Sequence, residues 1–273
     1  MDSPIMEGFN QYFNANKALW NKKTAVHEHS DFYELEKFKA GASSLRSVEL
    51  EEIGEVKGKS LLHLQCHFGM DTLSWAREGA EVTGMDFSDA AISKAKELSA
   101  ELDIPAKFVC CNVYDLPKHL EGKFDIVFTS YGTIGWLPDL DAWAKVIAHF
   151  LKAGGQFYMV DFHPFIWMHN YEMDSIDYSY FNEEVIAETT EGTYADRSAD
   201  IKQAEYGWNH PISEILNALI GAGLKLEVFN EFNFSTWNCF ENLKEIGRYK
   251  YQFKHLGAKI PVMYSIKARS EGT

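Results

Sequence analysis

The sequence predicts an α/β fold, a mostly parallel sheet of seven strands with helices on both faces. Three observations carry this. From about Lys59 short apolar runs alternate with helical patterns, the rhythm of strands joined by crossover helices. One run, FDIVFTS (124–130), is apolar on both faces, as a strand at the centre of such a sheet must be. The chain has 273 residues, 46% hydrophobic and 14% aromatic, enough for a substantial core, and no repeat, low-complexity tract or Pro/Ser-rich linker divides it.

The first five runs are SLLHL (60–64), EVTGMDF (81–87), KFVCCNV (107–113), FDIVFTS and GQFYMVDF (155–162). Between them Ser88 is placed to cap a helix whose apolar face is Ile92, Ala95, Leu98 and Leu102, spaced three and four apart. Asp139 is placed to cap a second, carrying Leu140, Trp143, Val146, Ile147 and Phe150, with Lys152 and Gly154-Gly155 as its stop. Pro211 opens a third, with Ile212, Ile215, Leu216 and Leu219 on one face and Gly221 and Gly223 at its end. The last two runs, LKLEV (224–228) and IPVMYSIKA (260–268), alternate strictly, which suits half-wet strands and predicts an edge position for both. Residues 164–206 and 235–259 fit no element of the repeat. Connections this long are usually lids or binding loops.

Charge narrows the function classes. With 26 Lys+Arg against 40 Asp+Glu the net is −14, a field that repels phosphate backbones and anionic membrane surfaces, so neither nucleic acid nor membrane is an expected partner. Ten of the acids fall in 164–206 against two bases, whereas 235–259 has five bases against two acids. The two segments are therefore expected to attract each other across the mouth of the site, the acidic one steering a cationic or neutral ligand. The four cysteines form no CxxC pair, the N-terminal MDSPIMEGFNQYFN does not read as a leader, and no run approaches a membrane span, all of which points to a cytoplasmic protein.

Ligands of open α/β sheets bind at the carboxyl ends of the strands. There the sequence places His63-Leu-Gln-Cys-His-Phe-Gly69, then Asp86-Phe87, then Asn112-Val113, then Ser130-Tyr131, then Asp161-Phe-His163. Asp86 lies 17 residues beyond Gly69, where a carboxylate can accept both hydroxyls of a ribose; the alternative is a carboxylate serving the helix at Ser88. Asn112 and the N–H of Val113 can read an adenine edge, or Asn112 can make an Asx-turn. HLQCH has imidazoles and a thiol but no second ligand pair at a matching spacing, so no metal is expected.

These residues resemble the class I methyltransferases that use S-adenosylmethionine. The matches are the loop LLHLQCHFG, the acid ending VTGMDFS, the polar residue in CCNVYDLP, and FDIVFTSYG followed by an L-K-x-G-G-x-F turn; they cover about residues 57–163. The chain is most similar to bacterial small-molecule methyltransferases that share LHLQCHFG and a W-x-H element, here Trp208-Asn-His210. The resemblance implies a Rossmann-like sheet whose last strand is antiparallel, in a single domain: an N-terminal helical cap at 1–56, a cofactor-binding core at 57–163, and lid insertions at 164–206 and 235–259. It implies S-adenosyl-L-methionine as cofactor, S-adenosyl-L-homocysteine as its product, and cofactor contacts from Trp20, His63, Gln65, Cys66, His67, Gly69, Asp86, Phe87, Asn112, Val113, Ser130 and Tyr131. The chain departs from the family pattern at His63, where an acid is usual, at Gln65 and His67, where glycines are usual, and at Asn112, where Asp is usual. A Gln at 65 is expected to take ordinary dihedrals and to reach the methionine end of the cofactor itself.

Methyl transfer from a sulfonium is an in-line displacement that asks mainly for alignment and exclusion of water, which fits the lack of a triad or carboxylate pair. Tyr12, Trp136, Trp208 and His210 are the candidates for binding a small-molecule acceptor, and Tyr131 and His163 the candidates for acting on it, His163 as proton acceptor. Ser130-Tyr131-Gly132-Thr133 lacks the Asn-Pro-Pro-aromatic pattern of enzymes that methylate DNA bases or glutamine. A cofactor-binding module without catalysis is the alternative, and an NAD-dependent oxidoreductase a distant third because G-x-G-x-x-G is missing.

Overall fold

The computed structural model describes residues 8–170 and 172–271. Tyr171, the last two residues and the first seven residues of the expected N-terminal cap lie outside the described residues. The chain begins with α1 (Asn10–His27), α2 (Leu35–Lys39) and α3 (Ser47–Ile53), then alternates through β1 (Ser60–Leu64), α4 (Met70–Arg77), β2 (Glu81–Asp86), α5 (Asp89–Glu101) and β3 (Lys107–Cys110). It continues with α6 (Leu116–His119), β4 (Phe124–Ser130), α7 (Leu140–Phe150) and β5 (Leu151–Phe162). The hairpin β6 (Ile186–Glu191) and β7 (Lys202–Gly207) follows, then α8 (Ile212–Gly221), β8 (Leu224–Phe232), the small hairpin β9 (Leu243–Gly247) and β10 (Lys250–Phe253), and β11 (Met263–Ser270).

Seven strands form one sheet in the order β3-β2-β1-β4-β5-β11-β8. β11 runs antiparallel to both of its neighbours and the others run parallel. The central strand shows why: Ile126 and Phe128 pack into the layer that also holds Trp75, while Val127 packs into the opposite layer with Trp143 and Phe150, and all three are buried. A strand buried on both faces must be covered by helices on both sides.

The capping residues act as their chemistry dictates. The Ser88 hydroxyl accepts from the N–H of Ala91, and the Asp139 carboxylate accepts from the N–H of Ala142. Two expectations fail. Gly154-Gly155 does not end α7, which stops at Phe150 as β5 begins; the pair lies in a register shift within β5, with Gly154 at φ +71°. The strand at 263–270 is not at an edge. It is hydrogen-bonded on both sides, and residues 263–266 are all buried, so its alternation reflects two different packed layers rather than a wet face. Only β8 of that pair is an edge strand.

Candidate active site

Strand order reverses between β1 and β4, and beyond the carboxyl ends of the strands there lies a cavity of about 780 Å³. Its walls come from α1, the loops after β1 to β5, residues 164–210, and Trp237, Cys239 and Phe240 of the second long segment. Of the site residues singled out in the sequence, all line it except Tyr12 and His163.

The loop after β1 has three residues with positive φ: Gln65 at +54°, His67 at +50° and Gly69 at +83°. The expectation of ordinary dihedrals at Gln65 is therefore wrong. The backbone takes the left-handed turns that glycine usually supplies, at a cost of about 1–2 kcal/mol for each side chain that must follow. At Gly69 no side chain is tolerated, because a Cβ there would stand 2.9 Å from Cβ of Ala95 and 3.0 Å from the Phe108 ring. Asp86 holds the loop in place: one carboxylate oxygen accepts from the N–H of His67 and the other from the N–H of Ser88, each at 2.9 Å. Burial nevertheless raises its pKa to about 6. Asp86 thus serves the segment at Ser88, and each oxygen keeps a lone pair beyond its backbone bond.

Gln65 donates its Nε2 to the carbonyl of Thr133 at 2.8 Å, leaving Oε1 buried without a partner. Because a carbonyl accepts only, the amide orientation is forced. His63 hydrogen-bonds through Nδ1 to Thr72 Oγ1 at 2.8 Å and through Nε2 to Ser130 Oγ at 3.4 Å, and burial lowers its pKa to about 3. A neutral ring supplies no charge where the family has a carboxylate. Beside it stands Asp71, which accepts from Ser44 Oγ at 2.5 Å and Ser130 Oγ at 3.3 Å and lines the cavity. Sequence reasoning missed Asp71 because an acid in the first turn of a helix reads as a dipole partner.

The N-terminal helix reaches over this loop. His27 Nδ1 lies 3.0 Å from His67 Nε2, and Trp20 packs edge-on against His67 and Trp136. Burial keeps both imidazoles neutral, lowering His27 to about 2 and His67 to about 3. Lys23 Nζ sits 5.1 Å from the Trp20 ring centre and 5.2 Å from that of Trp136, and pairs with Glu205 at 2.9 Å. Asn112 makes the Asx-turn, its Oδ1 accepting from the N–H of Tyr114 at 3.2 Å, which occupies only its oxygen. Phe87 and Val113 complete that end of the cavity, and Cys66 is buried under it as a thiol whose pKa burial raises.

The candidates for chemistry fare differently. Tyr131 lines the cavity, but its hydroxyl donates to Glu49 at 2.7 Å, a buried acid of α3 that burial raises to about 7 and that no sequence pattern marked. His163 points away. Its Nδ1 accepts from the N–H of Phe165 at 3.1 Å and its Nε2 meets Glu231 at 3.1 Å, so no lone pair remains to take a proton. His210 is equally occupied, with Nε2 donating to the Leu137 carbonyl at 2.8 Å and Nδ1 beside Glu214 and Asn182. Tyr12 packs on Tyr206 and Trp208 outside the cavity, and its neighbour Phe13 lines the wall instead. Asp161 clamps the loop after β4, accepting from the N–H groups of Gly132, Phe162 and Thr133.

The two long segments meet through apolar packing rather than through their net charges. Met173 and Ile166 bury against Phe253 and Val262. An ion pair between the segments joins Arg197 of the acidic one to Glu241 of the basic one at 3.6 Å, opposite in sense to the expectation. Among the described residues no group of three or more His, Cys, Asp or Glu is placed to hold a metal ion, and no helix is long and apolar enough to cross a membrane.

A family model described as a methyltransferase domain matches residues 61–155. An uncharacterised methyltransferase of Synechocystis is 34% identical over 131 residues, 47% of this chain and 59% of that protein. A ubiquinone biosynthesis O-methyltransferase of Chromobacterium violaceum is 30% identical over 111 residues, 41% of this chain and 47% of that protein. The chain thus spans about half the length of the curated relatives it matches. In fold, the crystal structure of an S-adenosylmethionine-dependent methyltransferase from Clostridium acetobutylicum superposes with a TM-score of 0.57 at 14% identity, covering 95% of this chain and 99% of the other. Residues 61–155 thus resemble a methyltransferase domain, and the whole chain has the fold of that S-adenosylmethionine-dependent methyltransferase, with the same kind of mostly parallel seven-stranded sheet.

Proposed function

We propose that the protein transfers a methyl group from S-adenosyl-L-methionine to a small molecule. The observation that carries this reading is the left-handed loop 65–69 at the end of β1, fastened to Asp86 and opening on the cavity beside the strand-order reversal. When bound, the cofactor supplies a methyl group on a positively charged sulfur. The residues present fit it: Asp86 offers lone pairs to ribose hydroxyls, the Gln65 Oε1 and the Asp71 carboxylate are acceptors for its ammonium, and Phe87, Asn112 and Val113 bound the adenine end. Asp71 takes the place of the acid that His63 displaces.

The chain's own part in the reaction is alignment. Trp20 and Trp136 exclude water above the loop, and Asp161 fixes the segment after β4. The histidines at 163 and 210 are engaged in structural bonds, so a proton lost by the acceptor goes to solvent and the displacement relies on an acceptor with a free lone pair. The N-terminal cap and the two insertions serve to enclose the reactants, in a volume suited to a cofactor with a small acceptor. The net charge of −14 supports an acceptor other than nucleic acid and a cytoplasmic setting agrees with the unpaired thiols.

Thermal unfolding with S-adenosylhomocysteine at millimolar concentration tests the reading. A dose-dependent rise in Tm is expected, and none would overturn it. Product formation with an acceptor panel then separates an enzyme from a module that only binds.

A further inference from the structure

We propose that the acceptor is an amine, drawn in as its ammonium form or through its N–H groups at the wall built by residues 164–210; it gives a proton to solvent before its lone pair forms the N–C bond, as the S–C bond breaks and the thioether leaves, and this rests on the methyltransferase reading. That wall comes from residues 164–210, not from the strand-end loops 65–69, 86–87 and 112–113 that would hold the cofactor. Its charges are one-sided. Glu172, Asp177 and Glu188 line it, and the lysine among the described lining residues, Lys23, is already paired with Glu205. An anionic acceptor would meet carboxylates and no free base.

A second, independent feature points to a hydrogen-bond donor. Asn209, the middle residue of the W-x-H element, is 3% exposed and lines the cavity. Its Nδ2 donates to the carbonyls of Pro164 at 3.2 Å and Ser179 at 2.9 Å, while its Oδ1 is buried with no partner. Both partners are carbonyls, so the amide cannot be turned round, and the atom left over is an acceptor. Across the His163-Pro164 turn, Tyr264 also lines the cavity, its hydroxyl buried and without a partner. A buried acceptor left unmade is costly, and an N–H from a ligand satisfies it. The rings of Trp136, Trp167, Tyr178 and Trp208 in the same cavity favour a cation over their faces.

The test measures binding of three probes of nearly one shape, 2-phenylethylamine, 2-phenylethanol and phenylacetate, by calorimetry with and without saturating S-adenosylhomocysteine. Saturable binding of the amine, with the alcohol weaker by about tenfold or more and phenylacetate not bound, is the expected result. Asn209→Leu should weaken the amine by about tenfold or more. Because that change also removes two structural bonds, Tyr264→Phe is the second variant; it deletes only an unpartnered hydroxyl and should weaken the amine by about 3- to 10-fold with Tm unchanged. Binding of phenylacetate, equal binding of amine and alcohol, or amine affinity indifferent to both variants would overturn the inference. Amine binding by a chain that ignores S-adenosylhomocysteine would uphold the amine site while refuting the methyltransferase reading, and the reverse result would do the opposite.

Discussion

At Gln65 and His67 two side chains occupy backbone conformations that glycine reaches without strain. What they return is chemistry: a fixed carbonyl oxygen from Gln65, and from His67 a ring that ties the loop to α1 through His27. The same exchange explains His63. An imidazole buried between Thr72 and Ser130 is neutral, so on the proposed reading the charge for the cofactor's ammonium comes from Asp71, which meets the same Ser130 hydroxyl. Asp71→Asn should therefore weaken S-adenosylhomocysteine by about 30-fold or more in calorimetry, yet leave 5′-methylthioadenosine, which has no amino-acid end, within about twofold. Equal losses for both ligands would show that Asp71 only supports the fold. Residue identity made the loop and Asp86 legible in the sequence. Side-chain direction was not legible, and for that reason His163 reads as a base although its ring turns to Glu231.

Among the elements, helices were legible wherever a capping residue met an apolar stripe, as at Ser88 and Asp139. Asp139→Ala should cost about 1 kcal/mol of stability without changing S-adenosylhomocysteine affinity, measured by urea unfolding and calorimetry. Strand position was less legible. β11 alternates like an edge strand, but its small and aromatic residues, Ser265 and Tyr264 among them, are buried between β5 and β8, and pairing partners cannot be read from a period of two. The two long segments show the same limit, since net charge said nothing of the apolar contact that joins them. Met173→Ala should destabilise by about 2–5 kcal/mol, whereas Glu241→Lys, breaking an exposed pair, should change stability by no more than about 1 kcal/mol. A larger loss from the charge change would restore the electrostatic account.

Over the whole molecule, burial of ionisable groups around the site sets the response to pH. His27, His63 and His67 have pKa values of about 2, 3 and 3 instead of 6.5, so below pH 6.5 the unfolded chain takes up protons that the folded chain refuses. Their stabilisation is whole above that pH and is lost as pH falls. Glu49 and Asp86 act in the other direction: raised to about 7 and about 6, they keep protons in the folded state that the unfolded chain releases, and favour folding at the acid end. Three imidazoles against two carboxyls leave a net uptake of about one proton near pH 5.5, or ~1.4 kcal/mol of stability gained per pH unit upward, and the lowered His149 and His163 stand against the raised Asp71 and Asp161, two on each side. Urea unfolding between pH 5 and 6.5 should show that rise, and His27→Gln should flatten it; a fall over the same range would contradict it. The sequence made the sheet legible as a whole, while the enclosure above it, built from α1, 164–210 and 237–240, follows from packing between segments far apart in the chain. The central claim, that this enclosure holds a sulfonium methyl donor against an acceptor, is tested most directly by titrating the full chain with S-adenosylhomocysteine in a calorimeter: saturable binding at one site per chain is the result expected, and no heat of binding at millimolar ligand would contradict it.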